Sequence, residues 1–203
     1  MKIARVYEKL KQSNNINSTK YSILLPLVEV DNETHILFEI RSMNLRRNPG
    51  QICFPGGKIE KEDLNPQHSA IRETVEELGI QEEDIEDVLP LDTITTPQNQ
   101  ILYLNIGKIK DINSIIPNED EVESVFTVPL DFLRETSPKI SRVYYKTVPE
   151  EDFPYDLIGG KDYKWSERFM DQYFYQYNDK VIWGLTARIL TYFLSLLEND
   201  TYL

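Results

Sequence analysis

The sequence predicts an α+β fold, in which a mixed β-sheet lies between helical layers. Apolar and β-branched runs recur along the chain with turn residues between them, as expected for strands. Helical periodicity is confined to one central segment and one C-terminal segment. A length of 203 residues suits one domain with a sizeable core, so we expect a single domain over residues 1–203.

The first two strands are predicted to form a hairpin. Residues 22–30 and 34–40 are both β-rich, and the turn residues Asp31-Asn32-Glu33 separate them. Residues 149–166 have the composition of a loop. Further strand-like runs lie at residues 88–95, 101–109, 126–130, 141–146 and 169–177.

A central helix of about three turns is predicted over residues 66–78. Asn65 is a favourable N-cap, Pro66 suits the first helical turn, and Gly79 suits the C-cap. A second, amphipathic helix is predicted over residues 182–197. In the central helix, apolar residues at i, i+4 and i+7 are expected to face the core: Ile71, Val75 and Leu78.

Three carboxylates on the central helix stand at i, i+3 and i+4 and therefore share one face: Glu73, Glu76 and Glu77. They lie near the C-terminal end, where the helix dipole disfavours negative charge, and they also repel one another. Taken alone, such a pattern is most simply explained as a solvated acidic surface. The alternative is a site that holds a compensating cation.

The residues before and beside these acids favour a site. Pro55-Gly56-Gly57 allows the backbone to bend sharply and to approach another group closely. Arg72 adds a fixed cation that can orient a carboxylate or a phosphate.

This pattern resembles the Nudix box, the signature of hydrolases that cleave nucleoside diphosphates linked to another moiety. The core R-E-x-x-E-E-x-G is matched without gaps. The spacing from the box glycine to its arginine is one residue longer than usual, and Asp63 stands where the early glutamate belongs. The matching positions are Gly57, Arg72, Glu73, Glu76, Glu77, Gly79 and Ile80.

A second motif precedes the first. Residues 41–57 resemble the R-S-x-x-L-R-x-x-x-G-x-x-x-F-P-G-G motif of the Nudix branch that hydrolyses coenzyme A and its thioesters, and residues 182–187 are also similar to that branch. Phe38-Glu39 stands where the branch tends to have Leu-Thr, and Asn48 where histidine is frequent. The resemblance implies the α/β/α Nudix sandwich and a pyrophosphatase that yields 3′,5′-ADP and phosphopantetheine or its acyl derivative.

The resemblance also implies a cofactor, Mg²⁺ or Mn²⁺, which prefer oxygen ligands. Glu73 and Glu77 are then expected as metal ligands, with the carbonyl of Gly57 as a further one. Glu76 is expected as another ligand or as a residue that orients water. Arg72 is expected to hold a glutamate in place or to contact phosphate.

The catalytic base is expected to be a carboxylate from a later loop. Glu121 and Glu123 are candidates within the acidic run 119–123, although a solvated loop explains either residue equally well. His35 lies in a predicted strand and His68 early in the helix, so both are expected to be structural.

Substrate binding is expected to involve Arg41, Arg46 and the side-chain-free Gly56. The two arginines fall on motif positions and can grip a phosphate by forked hydrogen bonds; the alternative is that they are ordinary surface cations. The aromatic run 173–177 is expected to belong to the core or to a dimer interface, with adenine stacking as the alternative.

Composition limits the partners. A net charge of −12 argues against nonspecific binding to nucleic acid or to anionic membranes. No apolar run reaches membrane-span length and the N-terminus lacks a signal-peptide core, so we expect a cytoplasmic enzyme, with a homodimer as one possible state. The single cysteine, Cys53, excludes an internal disulfide and is expected to be a packing residue.

Two other functions remain open at this point. One is a hydrolase with a different substrate, such as ADP-ribose or another nucleoside diphosphate derivative. The other is a Nudix-fold module that binds a nucleotide without cutting it. The intact acid set disfavours the second, because an uncompensated carboxylate cluster gives a binding module no advantage.

Overall fold

The computed structural model describes residues 18–96 and 99–198. The chain divides between Phe132 and Leu133 into two compact units, which are described separately. The expectation of one domain over residues 1–203 stays a prediction.

The strands and helices of the described residues follow the predicted order. The strands are β1 (Thr19–Val30), β2 (Glu33–Arg41), β3 (Ile52–Cys53), β4 (Gly56–Lys58), β5 (Ile85–Thr95), β6 (Gln100–Ile109), β7 (Val122–Pro129), β8 (Lys139–Tyr145), β9 (Arg168–Tyr177) and β10 (Lys180–Trp183). The helices are α1 (Pro66–Leu78), α2 (Leu130–Glu135) and α3 (Gly184–Glu198). Short 3₁₀ turns lie at Glu82–Asp84, Ile112–Ser114 and Tyr155–Ile158.

The first unit is built on a mixed sheet with the strand order β3-β2-β1-β6-β5. β1 and β6 run parallel, whereas β1–β2, β5–β6 and β2–β7 are antiparallel pairs. One edge of β1 is shared, because β2 pairs with its C-terminal half and β4 pairs with Tyr21–Ile23. The α+β class and the mixed sheet are therefore as predicted. The short strand β4 pairs with the N-terminal part of β1.

The predicted hairpin is confirmed. Val30 pairs with Glu33, and the two residues between them have positive φ, 52° at Asp31 and 65° at Asn32. Two consecutive left-handed residues form the tight turn that matches the right-handed twist of antiparallel strands, and Asn and Asp tolerate that conformation best after glycine.

Helix α1 has the predicted bounds. Oδ1 of Asn65 accepts a 2.8 Å hydrogen bond from the backbone N–H of His68, and Gly79 ends the helix with φ 63°. At that end, Leu78 and Ile80 pack with apolar side chains of β1, β2 and β6. The apolar cluster comprises Val28, Leu37, Leu78, Ile80 and Ile109.

The buried face of α1 differs from the prediction. Ile71 and Val75 are only half-buried. The small side chains of Ala70 and Thr74 are fully buried instead, and the Thr74 hydroxyl donates a 2.7 Å hydrogen bond to the Ala70 carbonyl. Small residues allow a helix to approach a sheet closely. Because the face that carries Ala70 and Thr74 is the buried one, Glu77 on the same side is also buried and is 4% exposed.

The second unit contains a three-stranded antiparallel sheet with the order β10-β9-β8. Helix α3 packs against it, with a 3.0 Å hydrogen bond between the hydroxyls of Tyr175 and Thr191. The predicted strands 141–146 and 169–177 correspond to β8 and β9. The predicted helix 182–197 begins only at Gly184, because Lys180–Trp183 pairs with β9.

Across the described ranges, none of the helices combines the length and the apolar character needed to cross a bilayer.

Candidate active site

The candidate site lies in the first unit, where β4, the end of β2, helix α1 and the segment 115–121 meet. The two glycines of β4 each contact a carboxylate of the helix. Because β4 pairs with β1 through Ser22–Gly57 and Ile23–Gly56, their backbone is fixed by the sheet. The hydroxyl of Ser22 donates a 2.5 Å hydrogen bond to the carbonyl of Pro66, which ties the start of α1 to the same strand.

Gly57 lies directly against the carboxylate of Glu73. A Cβ atom at this position would stand 2.3 Å from Cδ of Glu73, so only glycine leaves room for that carboxylate. The close approach predicted from Gly56-Gly57 is therefore an approach to the acids of the helix.

Gly56 contacts the second predicted metal ligand. Its backbone N–H donates a 2.8 Å hydrogen bond to Oε2 of Glu77. Gly56 has φ 148°, and a Cβ atom there would stand 2.4 Å from the backbone oxygen of Ser22. Glycine is therefore required both by the backbone conformation and by the contact with β1.

Arg72 organises the remaining acids. Its guanidinium donates to Asp63 through Nε and Nη2 at 3.1 and 3.2 Å, to Glu73 at 2.8 Å and to Glu76 at 3.1 Å. A fifth hydrogen bond of 3.3 Å reaches the carbonyl of Lys58. Arg72 thus contacts two glutamates of the helix, and its predicted roles, holding a glutamate or contacting phosphate, stay predictions.

Asp63, which stands at the position of the early glutamate, orients Arg72. Its side chain is 1% exposed and also accepts a 2.8 Å hydrogen bond from the backbone N–H of Glu60. The Arg72 guanidinium is the main reason that the pKa of Asp63 lies well below its usual range. His68 contacts the same carboxylate at 3.1 Å, and His35 contacts the Thr127 hydroxyl at 3.0 Å, so both histidines have structural partners.

Glu121 is brought to the site by a segment that docks on the end of α1. The backbone N–H groups of Ile116 and Asn118 donate 3.0 Å hydrogen bonds to the carbonyls of Leu78 and Glu77. The carbonyl of Glu121 accepts a 2.8 Å hydrogen bond from the N–H of Ser42. These contacts satisfy carbonyls that the helix leaves unpaired and fix the Glu121 backbone beside the end of β2.

The acids interact strongly. Burial raises the pKa of Glu77 to about 9, and the charges of Glu39, Glu73 and Glu121 contribute to the rise. Burial also raises the pKa of Glu73, against the opposing effect of Arg72. Glu123, the other predicted base candidate, is exposed on β7.

Glu39 is a member of this group that sequence reasoning missed as a site residue. It is 1% exposed, and its Oε1 accepts a 3.0 Å hydrogen bond from the thiol of Cys53. Burial raises the pKa of Glu39 to about 7. Its signal in the sequence was the departure at Phe38-Glu39, where the resembled branch tends to have Leu-Thr. Burial likewise raises the pKa of Cys53, which is therefore a neutral thiol with a packing role.

The upstream motif is anchored at both ends. Backbone hydrogen bonds join Arg41 to Gln51 at 2.9 Å and to Gly50 at 3.0 Å, and Phe54 stacks on Phe38 with 5.0 Å between ring centroids. Arg41 thus lies at the end of β2, where its charge acts on Glu39. Arg46 is exposed in the connecting segment 42–51.

Comparison with known proteins agrees with this geometry. A model of the NUDIX domain matches residues 24–149, which include all the acids, arginines and glycines of the candidate site. The chain belongs to the Nudix family. A MutT/nudix family protein from Enterococcus faecalis has a similar fold, with a TM-score of 0.51 at 13% identity over 100% of this chain and 72% of that protein.

Several Nudix relatives are similar over most of the sequence. Nudix hydrolase 3 of Caenorhabditis elegans is 31% identical over 98% of this chain and 81% of its own length. The human mitochondrial coenzyme A diphosphatase NUDT8 is 31% identical over 89% of this chain and 70% of its own length. The mouse peroxisomal coenzyme A diphosphatase NUDT7 is 33% identical over 66% of this chain, which spans 54% of that relative.

The chain is thus a Nudix pyrophosphohydrolase, an enzyme that acts on phosphorus-containing acid anhydrides, and it falls in the coenzyme A pyrophosphatase-like branch. Nudix hydrolases generally use divalent metals. Within residues 18–96 and 99–198, no group of three or more His, Cys, Asp or Glu is arranged to hold a metal ion.

The chemistry of the Nudix acids nevertheless fits a divalent cation. Oε2 of Glu39 is buried and has no hydrogen-bond partner within residues 18–96 and 99–198. Glu39, Glu73 and Glu77 are all disfavoured as anions by burial and by neighbouring carboxylates. A cation among them would satisfy the buried oxygen and allow the acids to ionise together.

Proposed function

We propose that this Nudix enzyme hydrolyses the pyrophosphate bond of coenzyme A or acyl-CoA, giving 3′,5′-ADP and phosphopantetheine or its acyl derivative, with Mg²⁺ or Mn²⁺ as cofactor. The observation that carries the proposal is the segment from Arg41 to Gly57. It resembles the coenzyme A motif, and its two terminal glycines contact Glu73 and Glu77. Relatives named coenzyme A diphosphatases support the same substrate class.

In this proposal Glu73 and Glu77 hold the cation, with Gly57 offering its carbonyl. Glu76, whose side chain is 53% exposed, is a further ligand or orients the attacking water from the outer side. A bound divalent cation supplies electrostatic stabilisation of the phosphate charge and activates water for attack. Arg72 acts through the acids, since it holds Glu73 and Glu76 in position.

Glu121 is proposed as the general base. Its carboxylate is exposed, unlike those of Glu39 and Glu77, and its charge acts on both of those residues. An exposed carboxylate on a segment fixed by two hydrogen bonds to α1 can accept a proton from water and pass it to solvent.

Arg41 and Arg46 are proposed to bind the phosphates of the substrate. The chain carries a net charge of −12, so an anionic substrate needs a local cationic surface as well as the metal. Gly56 is proposed to allow close approach of the substrate to the backbone. We further propose a small-molecule substrate and no nucleic-acid or membrane partner; the cytoplasmic location and the homodimer stay predictions.

The decisive experiment is a substrate panel. Purified protein is incubated with coenzyme A, acetyl-CoA, ADP-ribose and diadenosine polyphosphates in Mg²⁺ or Mn²⁺, and the products are identified by mass. The proposal expects 3′,5′-ADP from coenzyme A or acetyl-CoA with the highest kcat/KM. Faster cleavage of ADP-ribose would assign the enzyme to that substrate class instead, and no cleavage of any compound would leave only nucleotide binding.

A further inference from the structure

Glu39 lies on β2, outside the Nudix helix, yet it is close enough to Glu77 for its charge to act on that residue. Oε1 of Glu39 accepts a 3.0 Å hydrogen bond from the thiol of Cys53. Oε2 of Glu77 accepts a 2.8 Å hydrogen bond from the N–H of Gly56. Cys53 and Gly56 are three residues apart, so the two carboxylates contact one short segment from two different elements.

The other oxygen of Glu39 has no hydrogen-bond partner among the residues that the structure describes. Oε2 is buried in a residue that is 1% exposed. A buried carboxylate oxygen without a partner is strongly disfavoured, and such atoms in native structures normally serve an ion, a water or a reaction. The neighbouring charges are those of Glu77 and Glu121, which repel Glu39, and that of Arg41, which attracts it.

The acids of the site therefore fall into two groups. Glu76 and one oxygen of Glu73 are neutralised by Arg72 on the outer side. Glu77 and Glu39 are buried on the inner side, where Glu77 has a backbone N–H and Glu39 a weakly donating thiol. The negative charge of Glu39 and Glu77 is therefore less well compensated than that of Glu73 and Glu76, and a bound cation would stabilise it more.

We propose that Oε2 of Glu39 is a ligand of a divalent cation shared with Glu77, so that a strand as well as the Nudix helix supplies the metal site. This inference rests on the proposed metal dependence and extends it to a residue outside the Nudix box. Hard carboxylate oxygens from two rigid elements give a more preorganised site for Mg²⁺ or Mn²⁺ than acids from one helix.

The test measures Mn²⁺ binding without substrate. Free Mn²⁺ is followed by electron paramagnetic resonance as metal is titrated into the whole chain at constant pH. Glu39→Gln keeps the size of the side chain and removes its charge, and it is expected to raise the dissociation constant by about ten-fold or more. Glu39→Thr, with a residue that favours strands, is expected to do the same.

One variant serves as the control. Glu33→Gln removes an exposed carboxylate from the same strand and is expected to leave Mn²⁺ binding unchanged. Circular dichroism of each metal-free variant confirms that it is folded.

The outcomes separate the two proposals. Wild-type affinity in folded Glu39→Gln and Glu39→Thr would show that Glu39 is a neutral buried acid and would overturn this inference, with the proposed function intact. A wild-type protein that binds no Mn²⁺ would overturn both. Loss of binding in Glu77→Gln together with normal binding in Glu39→Gln would confine the cation to the helix.

Discussion

The backbone N–H of Gly56 donates a 2.8 Å hydrogen bond to Oε2 of Glu77, across 21 positions of sequence. The glycine turn and the acidic helix of this Nudix enzyme are therefore parts of one structure. The turn holds one carboxylate by hydrogen bonding, and the adjacent Gly57 makes room for the other, Glu73.

The first prediction concerns the two helix acids. Glu73→Gln and Glu77→Gln each retain the shape of the side chain but lose an anionic ligand, so kcat/KM is expected to fall by about two orders of magnitude or more. The fold should survive, because an amide fills the same space. Glu82→Gln, an exposed change just after the helix, is the matched control and should be as active as the wild type. Near-normal turnover in Glu77→Gln at low metal concentration would contradict the assignment.

The second prediction separates the roles of the two glycines. Gly56→Ala introduces a Cβ atom 2.4 Å from backbone in a conformation with φ 148°, so it is expected to lower the free energy of unfolding by about 1–3 kcal/mol. Gly57→Ala meets only the end of the Glu73 side chain, which can move away. That variant should remain stable and lose activity. Thermal denaturation and kcat/KM of both variants distinguish a loss of stability from a loss of activity. A fully active Gly57→Ala enzyme would show that activity does not require the observed placement of the Glu73 carboxylate.

The third prediction is the pH dependence of stability without metal. Burial raises the pKa of Glu39 to about 7 and that of Glu77 to about 9, from an ordinary value of 4.5. Between pH 4.5 and these raised pKa values, the folded state therefore binds more protons than the unfolded state. The free energy of unfolding consequently decreases as pH rises through this range. The groups that face this pair are Glu73, Glu121, Arg41 and Cys53.

Calorimetry in a chelator is the measurement. The melting temperature is expected to fall as pH increases from about 5 to about 9, and saturating Mn²⁺ should reverse most of the fall. Glu77→Gln cannot lose a proton at this position, so its profile should be flatter. A wild-type melting temperature that rises over this range in the absence of metal would refute the prediction.

The fourth prediction concerns Asp63. Asp63→Asn removes the charge that receives two hydrogen bonds from Arg72, and it is expected to cost about 1.5–3 kcal/mol of stability at neutral pH. Because the folded-state pKa of Asp63 is lowered, this contribution exists above its ordinary value of 3.8 and is lost as pH falls below it. Denaturant unfolding of wild type and variant should therefore converge in acid. Asp152→Asn, a change at an exposed aspartate outside the site, serves as control.

The fifth prediction concerns substrate specificity. If Arg41 and Arg46 bind the 3′-phosphate of coenzyme A, dephospho-coenzyme A should be hydrolysed with about a tenth of the kcat/KM or less, as expected from one lost charge-assisted hydrogen bond. Alanine at the responsible arginine should abolish that preference. Arg47→Ala, at a neighbouring position that the motif leaves unspecified, is the control. Equal wild-type kcat/KM for the two substrates would exclude 3′-phosphate recognition.

Much of the fold follows from local sequence rules. The bounds of α1 were predictable because Asn65 and Gly79 each stop a helix for a local reason, a side-chain cap and a left-handed backbone. The β1–β2 hairpin was predictable because Asp31 and Asn32 are turn residues between β-rich runs. Such features depend on neighbours in sequence and need no tertiary information.

The buried face of α1 and the burial of Glu39 depend on tertiary packing, which local sequence rules do not predict. The buried face of α1 combines Leu78 with the small residues Ala70 and Thr74. Ile71 and Val75, which were predicted to face the core, are only half-buried. Glu39 lies between two strands, because β3 pairs with it on one edge of β2 and β7 pairs with it on the other. In a strand pattern alone, a glutamate at this position is indistinguishable from a solvent-facing one.

The docking of Ile116 and Asn118 on the last carbonyls of α1 has a consequence for how this enzyme can diversify. Both anchors lie outside the hairpin formed by β5 and β6. The connection between those strands can therefore accept insertions or new side chains while the spacing between the helix acids and Glu121 is preserved.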